Sequence, residues 1–140
     1  MEKKNGCKVL EYFLFVLYAA ALLRITVFRS GCFSRPLCSG RVNFMPGMAY
    51  KDLISWQSYR TAAYLFFGNI AWFIPLGWFL RRRGWDFWAC ALCGLAVSLL
   101  IEGGQFVLGT GLSETDDLIL NTLGAMAGYL VGQLHCKRLR

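Results

Sequence analysis

Side chains that could do chemistry are concentrated between residues 98 and 129, where two long apolar segments meet. Glu102 and Gln105 lie inside the first segment, Asp116 and Asp117 open the second, and Asn121 follows one helical turn later. A carboxylate in hydrocarbon costs about 3 kcal/mol on insertion scales, so such groups normally face one another or a wet cavity. We therefore predict that the function of the chain depends on this cluster.

The carboxylates of this cluster are candidates for acid–base catalysis. Glu102 with Asp116 or Asp117 can act as general acid and base if their environments separate their pKa values, and the same oxygens suit Mg²⁺. Against a reaction, the only histidine, His135, stands at the far end of the last apolar segment, and no nucleophile motif is present. Aspartate near a helix N-terminus also serves as a cap. The catalytic role is left open, and the sequence predicts no metal site and no cofactor.

Membrane helices must position these groups. Hydrophobic residues make up 56% of the 140 residues, mean hydropathy is +0.45, and only 16% are charged, against about 25% in soluble proteins. Four apolar runs are each long enough to cross roughly 30 Å of hydrocarbon: 9–28, 64–80, 87–108 and 118–134. The sequence therefore predicts one domain over residues 1–140, an all-α membrane protein with a bundle of about four transmembrane helices. A long outer loop joins the first two.

The positive charge predicts how the chain sits in the membrane. Basic residues form short clusters between the apolar runs, which is the pattern of membrane topology and gives no reason to expect nucleic acid as a partner. The N-terminus, the tight loop at residues 81–83 and the C-terminus carry most of them, and the segment 109–117 carries none. This bias predicts a multi-pass cell-membrane protein whose N- and C-termini are cytoplasmic, with the lipid bilayer as its partner.

That topology places the embedded polar residues in the outer half of the membrane. Ser98, Glu102 and Gln105 fall within about 80° of one another on a helix, and Asn69 and Asn121 lie in the outer halves of their own segments. We expect these groups to line an outward-facing polar pocket. Alternatively, the amides only cross-link helices, and Glu102 forms a structural ion pair with Arg24 or Arg29.

A glycine stripe on the last segment predicts close backbone contact. Gly124, Gly128 and Gly132 recur at every fourth residue, a spacing that lets another helix approach closely. We expect a homo-oligomer through this face. On the second segment, Pro75 is expected to bend the helix just below Asn69.

Several motifs, in the same order along the chain, resemble the VanZ-like family. They are Val42-Asn43-Phe44-Met45-Pro46, Gly68-Asn69-Ile70 with Phe73-Ile74-Pro75-Leu76-Gly77, Ser98-Leu-Leu-Ile-Glu102 with Gln105, and Asp116-Asp117-Leu-Ile-Leu-Asn121-Thr-Leu-Gly124. The similarity covers most of the chain, and the last motif is the most specific. Two positions depart from the pattern. Gly47 follows the loop proline in place of a bulky residue, and Glu114 is the only charge just before the aspartate pair.

The resemblance implies a small bacterial envelope protein of about four spans, of the kind associated with low-level resistance to teicoplanin-type glycopeptides. The candidate function is modulation of glycopeptide susceptibility through an outer pocket that binds a cell-wall precursor, a lipid headgroup or another lipid component. The alternatives are an enzyme acting on a lipid-linked outer-leaflet substrate and an oligomeric proton-coupled exporter that uses Glu102. The candidate binding residues are Arg29, Asn43, Asn69, Glu102, Gln105, Asp117 and Asn121.

Overall fold

The computed structural model describes residues 2–28 and 36–138 and is mostly helical. Its helices are α1 (Glu2–Thr26), α2 (Met48–Ser55), α3 (Tyr59–Arg82), α4 (Phe87–Leu108) and α5 (Thr115–Arg138). Within the described residues, three segments are long and apolar enough to cross a membrane: Lys8–Thr26, Tyr59–Arg82 and Phe87–Leu108. The prediction of a helical membrane protein is confirmed at this level. Arg29 and Arg35 lie outside the described residues.

The helix boundaries follow local signals in the sequence. α4 occupies the predicted range because the carboxylate of Asp86 accepts the amide N–H of Ala89 at 2.9 Å, and Gly109 ends the helix in a left-handed conformation (φ 62°). α3 begins at Tyr59, earlier than the apolar run at residue 64, since a helix extends into polar residues as long as its backbone bonds are made. The loop before it contains the short helix α2.

The chain is not purely α-helical. Two short parallel strands, β1 (Arg41–Asn43) and β2 (Leu112–Glu114), pair with Val42 opposite Ser113. Just before β1, the amides of Cys38 and Gly40 donate to the carbonyls of Val107 and Phe106 at 2.8 and 3.1 Å. These bonds satisfy loop backbone that would otherwise be unpaired. These contacts hold residues 38–43 against the end of α4 and against β2, which directly precedes α5.

The glycine stripe of α5 packs against α3 of the same chain. A Cβ on Gly124 or Gly128 would overlap the carbonyl of Ile70 or Ile74, and one on Gly132 would lie 3.0 Å from Cβ of Arg81. Residues 70, 74 and 81 are successive contacts along α3, so the two helices run parallel with their backbones touching. This close approach lies within one chain, where α3 covers the glycines, and a homo-oligomer through the same face stays a prediction.

The helix α1 lies at the edge of the bundle. Its apolar side chains are mostly exposed, as expected for a surface that meets lipid. Near one end, the hydroxyl of Tyr18 donates to the carbonyl of Trp72 at 2.6 Å, and Gln105 of α4 donates to the carbonyl of Thr26 at 3.4 Å. Leu22 and Val27 join the buried core with Phe73 and Ile101. The C-terminal part of α1 is therefore placed to close one side of a cavity.

Candidate functional site

A polar cavity of about 410 Å³ opens where the C-terminal parts of α1 and α4 meet the N-terminal parts of α3 and α5. Its walls are apolar side chains such as Leu22 and Phe73. Its hydrogen-bonding side chains come from all five helices and from β2, and they include Thr26, Tyr50, Tyr64, Asn69, Glu102, Gln105, Glu114, Asp117 and Asn121. The structure thus brings together five of the seven predicted binding residues.

Glu102 is a buried carboxylate of this cavity. It is only 7% exposed, and one carboxylate oxygen accepts the backbone N–H of Glu114 at 3.1 Å. The hydroxyl of Ser113 donates to the Glu102 carbonyl at 2.8 Å, so β2 holds this turn of α4 at two points. The carboxylate is therefore fixed in orientation while it borders the cavity.

The expected ion pair between Glu102 and Arg24 does not form. Arg24 is exposed and donates to the carbonyl of Phe28 at 2.5 Å. Within the described part of the chain, the ion pairs are those of Glu11 with Arg82 and Arg83, far along the bundle from Glu102. Arg29, the other expected partner, lies outside that part.

A chain of hydrogen bonds fixes the opposite wall of the cavity. Asn69 of α3 donates to the carboxylate of Asp117 on α5. Asn121 donates to the Ser98 hydroxyl at 2.8 Å, and that hydroxyl is 3.5 Å from the Asp117 carbonyl. Both amides therefore do cross-link helices, as the structural alternative held, and both also line the cavity. Buried polar groups in such a network are held in fixed geometry.

The two adjacent aspartates have separate roles. Asp117 lines the polar cavity, whereas both carboxylate oxygens of Asp116 accept the backbone N–H of Gly47, at 2.8 and 2.9 Å. Gly47 precedes α2 and has φ 78°, a conformation that disfavours any residue with a Cβ. The departure at Gly47 from the family pattern thus has a local backbone reason. Asp116 anchors α2 and is not a partner of Glu102 in the polar cavity.

Asn43 lies behind the cavity rather than in its lining. Its side-chain oxygen accepts the amide of Met45 at 3.1 Å, which forms a local turn, and its amide is 3.5 Å from the carboxylate of Glu114. The hydroxyl of Thr115 donates to its carbonyl at 3.3 Å. Asn43 therefore orients Glu114, and only through it contributes to the cavity.

Sequence reasoning missed Tyr50 and Glu114 as lining residues. Tyr50 projects from α2, where its ring meets Phe66 edge-on at 5.9 Å. Burial, reinforced by the charges of Asp117, Asp116 and Glu114, raises the pKa of Tyr50 to about 12. Burial also raises the pKa of Glu114. The charge of Glu114, next to the aspartate pair, was a sequence signal that could have identified it. No feature of the sequence pointed to Tyr50.

The lining has a distinct chemical character. In the part of the chain that the structure describes, it contains carboxylates, amides and the hydroxyls of Thr26, Tyr50 and Tyr64, but no lysine, arginine, serine, cysteine or histidine. His135 lies beside Trp78, at the other end of the bundle. No group of three or more histidine, cysteine, aspartate or glutamate side chains among the described residues is placed to hold a metal ion. The arrangement can accept hydrogen bonds and balance positive charge.

A second, apolar groove adjoins this site. It has a volume of about 530 Å³ and runs between α2, α3 and α5, with Tyr50 lining both spaces. Apart from Gly47 and Asp116 at the anchor of α2, its lining is apolar or aromatic: Ile54, Ala62, Ala63, Phe66, Phe67, Ile119, Leu120 and Leu123. Polar and apolar binding space therefore lie on either side of one tyrosine.

Comparison with known proteins gives a family and no individual relative. No curated protein and no solved structure matches the chain. The model of one protein family, described as VanZ/LLP1, matches residues 15–135, which include the C-terminal half of α1, the whole of α3 and α4, most of α5 and the whole polar cavity. The resemblance noted in the sequence motifs is thereby confirmed, and the chain belongs to the VanZ/LLP1 family.

Proposed function

We propose that this protein acts in the bacterial cell envelope, where it modulates susceptibility to teicoplanin-type glycopeptides by binding a cell-wall or lipid component in the polar cavity. The observation that carries the proposal is the convergence of Asn69, Glu102, Gln105, Asp117 and Asn121 on one cavity. Polar groups embedded in membrane helices are costly and normally mark a functional pathway or site.

The chemistry of the lining selects the ligand class. Three carboxylates, those of Glu102, Glu114 and Asp117, border the cavity. Carboxylates accept short, charge-assisted hydrogen bonds from hydroxyl, amide N–H and ammonium groups, so a ligand that carries these donors fits the site. Sugars and peptides of cell-wall precursors carry these donors.

The apolar groove supports an amphiphilic ligand. Because it shares Tyr50 with the polar cavity, one molecule can place its donor groups among the carboxylates and its hydrocarbon beside Phe66 and Leu120. Binding sites commonly combine an apolar wall with a few fixed polar groups that set orientation. A lipid-linked cell-wall component has both parts.

The proposed topology has four spans, with α5 as the fourth. α5 has 24 residues, as α3 has, and runs parallel to it along its length. Polar residues of the cavity lower the hydropathy of α5, and α3 and α4 cover them. The arginines at 81–83 lie at the end of the bundle opposite the cavity. With that end cytoplasmic, as the positive-inside bias favours, the cavity faces outwards and both termini lie inside.

The test is the protection of a sensitive Gram-positive host. Cells that express the wild-type chain are expected to tolerate a higher teicoplanin concentration than cells that carry the empty vector, because the bound envelope component is altered or withheld. The minimum inhibitory concentration is measured at a membrane level checked by immunoblot. Equal concentrations in the two strains, with the protein present, would refute the proposed role in glycopeptide susceptibility.

A further inference from the structure

Two arginines converge on one carboxylate at the end of the bundle opposite the polar cavity. Arg82 Nη2 lies 2.5 Å from one oxygen of Glu11, and Arg83 Nη2 lies 3.4 Å from the other. Glu11 belongs to α1, whereas the arginines end α3, so the pair of contacts bridges two helices. This arginine cluster, Glu11 with Arg82 and Arg83, has two guanidinium charges for one carboxylate charge.

The donors of the cluster are only partly used. A guanidinium presents five N–H groups in a planar fork, but Nε of Arg83 is buried and has no hydrogen-bond partner within the described residues. The Arg83 contact with Glu11 is also long for a charged hydrogen bond. The side chains of Arg82 and Arg83 keep 27% and 20% of their surface accessible. Each side chain is therefore partly open to an anion outside the bundle, whereas the buried Nε of Arg83 is not.

Aromatic rings hold the two arginines of the cluster in place. The guanidinium of Arg83 lies 3.9 Å from the ring centre of Tyr12 and 4.6 Å from that of Phe79, and the guanidinium of Arg82 lies 5.0 Å from that of Trp78. Such stacking fixes the plane of the fork without consuming its in-plane donors. Tyrosine and tryptophan are typical of the membrane–water interface, where headgroups lie.

We propose that the arginine cluster binds the phosphate of an anionic phospholipid headgroup. A planar fork matches a phosphate with two parallel hydrogen bonds, and the aromatic rings hold Arg82 and Arg83 in place for it. The source is lipid rather than free phosphate because α1 and α3 are candidate membrane spans and the cluster lies at their ends. The site is independent of the polar cavity and of its proposed ligand.

The test is lipid binding to the purified full-length protein, followed by native mass spectrometry in a neutral detergent. Phosphatidylglycerol is expected to bind more tightly than phosphatidylcholine, and Arg83→Gln is expected to weaken phosphatidylglycerol binding about fivefold, since one basic side chain near an anionic surface contributes on that order. Arg60→Gln is the matched control, because Arg60 is exposed in the first turn of α3, at the other end. The Arg60→Gln protein is expected to bind phosphatidylglycerol with the affinity of the wild type.

A second variant keeps the test decisive if Arg83→Gln folds poorly. Glu11→Gln removes the competing carboxylate and is expected to strengthen phosphatidylglycerol binding. An excess of inorganic phosphate is expected not to displace the lipid; displacement would assign the site to free phosphate and overturn the lipid source. Equal affinity for both lipids, or an unchanged affinity in the arginine and glutamate variants, would overturn the site itself.

Discussion

Gly128→Ala is expected to remove most of the folded protein from the membrane. A Cβ at this position would overlap the carbonyl of Ile74 and lie 2.9 Å from the amide nitrogen of Trp78, both backbone atoms of α3. Neither can rotate away, so the two helices must move apart at this position. Overpacking of this kind costs about 3 kcal/mol and sometimes more, which is a large part of the stability of a small protein.

The matched control for that substitution is Gly103→Ala. Gly103 lies inside α4 with nothing within 4 Å of the position a Cβ would take, so alanine is expected to be neutral or stabilising by up to about 1 kcal/mol. Membrane abundance by immunoblot and thermal unfolding in detergent compare the two variants. Normal abundance of Gly128→Ala would contradict the parallel α3–α5 contact and favour the stripe as an interface between chains.

Asp116→Ala is expected to release α2 from the bundle while the long helices stay folded. The carboxylate accepts the N–H of Gly47 with both oxygens, and it is the charged anchor of the segment that carries Tyr50. Loss of a hydrogen bond to a charged group costs about 2 kcal/mol, which is enough to let a short surface helix open locally. Amide hydrogen exchange is expected to rise in residues 47–55 and to stay unchanged in α4.

The control for α2 is Asp52→Ala, which removes an exposed carboxylate from the same short helix. Its exchange is expected to match that of wild type. Unchanged protection of residues 47–55 in Asp116→Ala would show that other contacts, such as the edge-on packing of Tyr50 on Phe66, hold α2 by themselves. The account of Asp116 as an anchor would then be wrong.

The sequence predicts the long helices and five polar residues of the cavity because both follow from strong local signals. An apolar run with an Asp cap and a terminal glycine places α4 at the predicted residues. Helical spacing places Glu102 and Gln105 on one face, and membrane topology places Asn69 and Asn121 at the same level. All four line one cavity.

The remaining features depend on which helices and strands pack against each other. The local pattern of a single sequence does not show this. The glycine spacing of α5 predicts a close helix contact without saying whether the partner is α3 or another chain. The sequence does not distinguish the roles of Asp116 and Asp117. Only the fold places Gly47 beside the first and Asn69 beside the second. Strands of three residues, such as β1 and β2, are too short to show a period.

The measurement that tests the central claim most directly compares Glu102→Gln, Asp117→Asn and Gly103→Ala for teicoplanin protection at matched membrane levels. Glu102 and Asp117 border the polar cavity, whereas Gly103, the neighbour of Glu102 on α4, is exposed. Both cavity variants are expected to fall to the susceptibility of the empty vector, and Gly103→Ala is expected to protect as wild type does. Full protection by both cavity variants would contradict the account and reduce these carboxylates to structural links between helices.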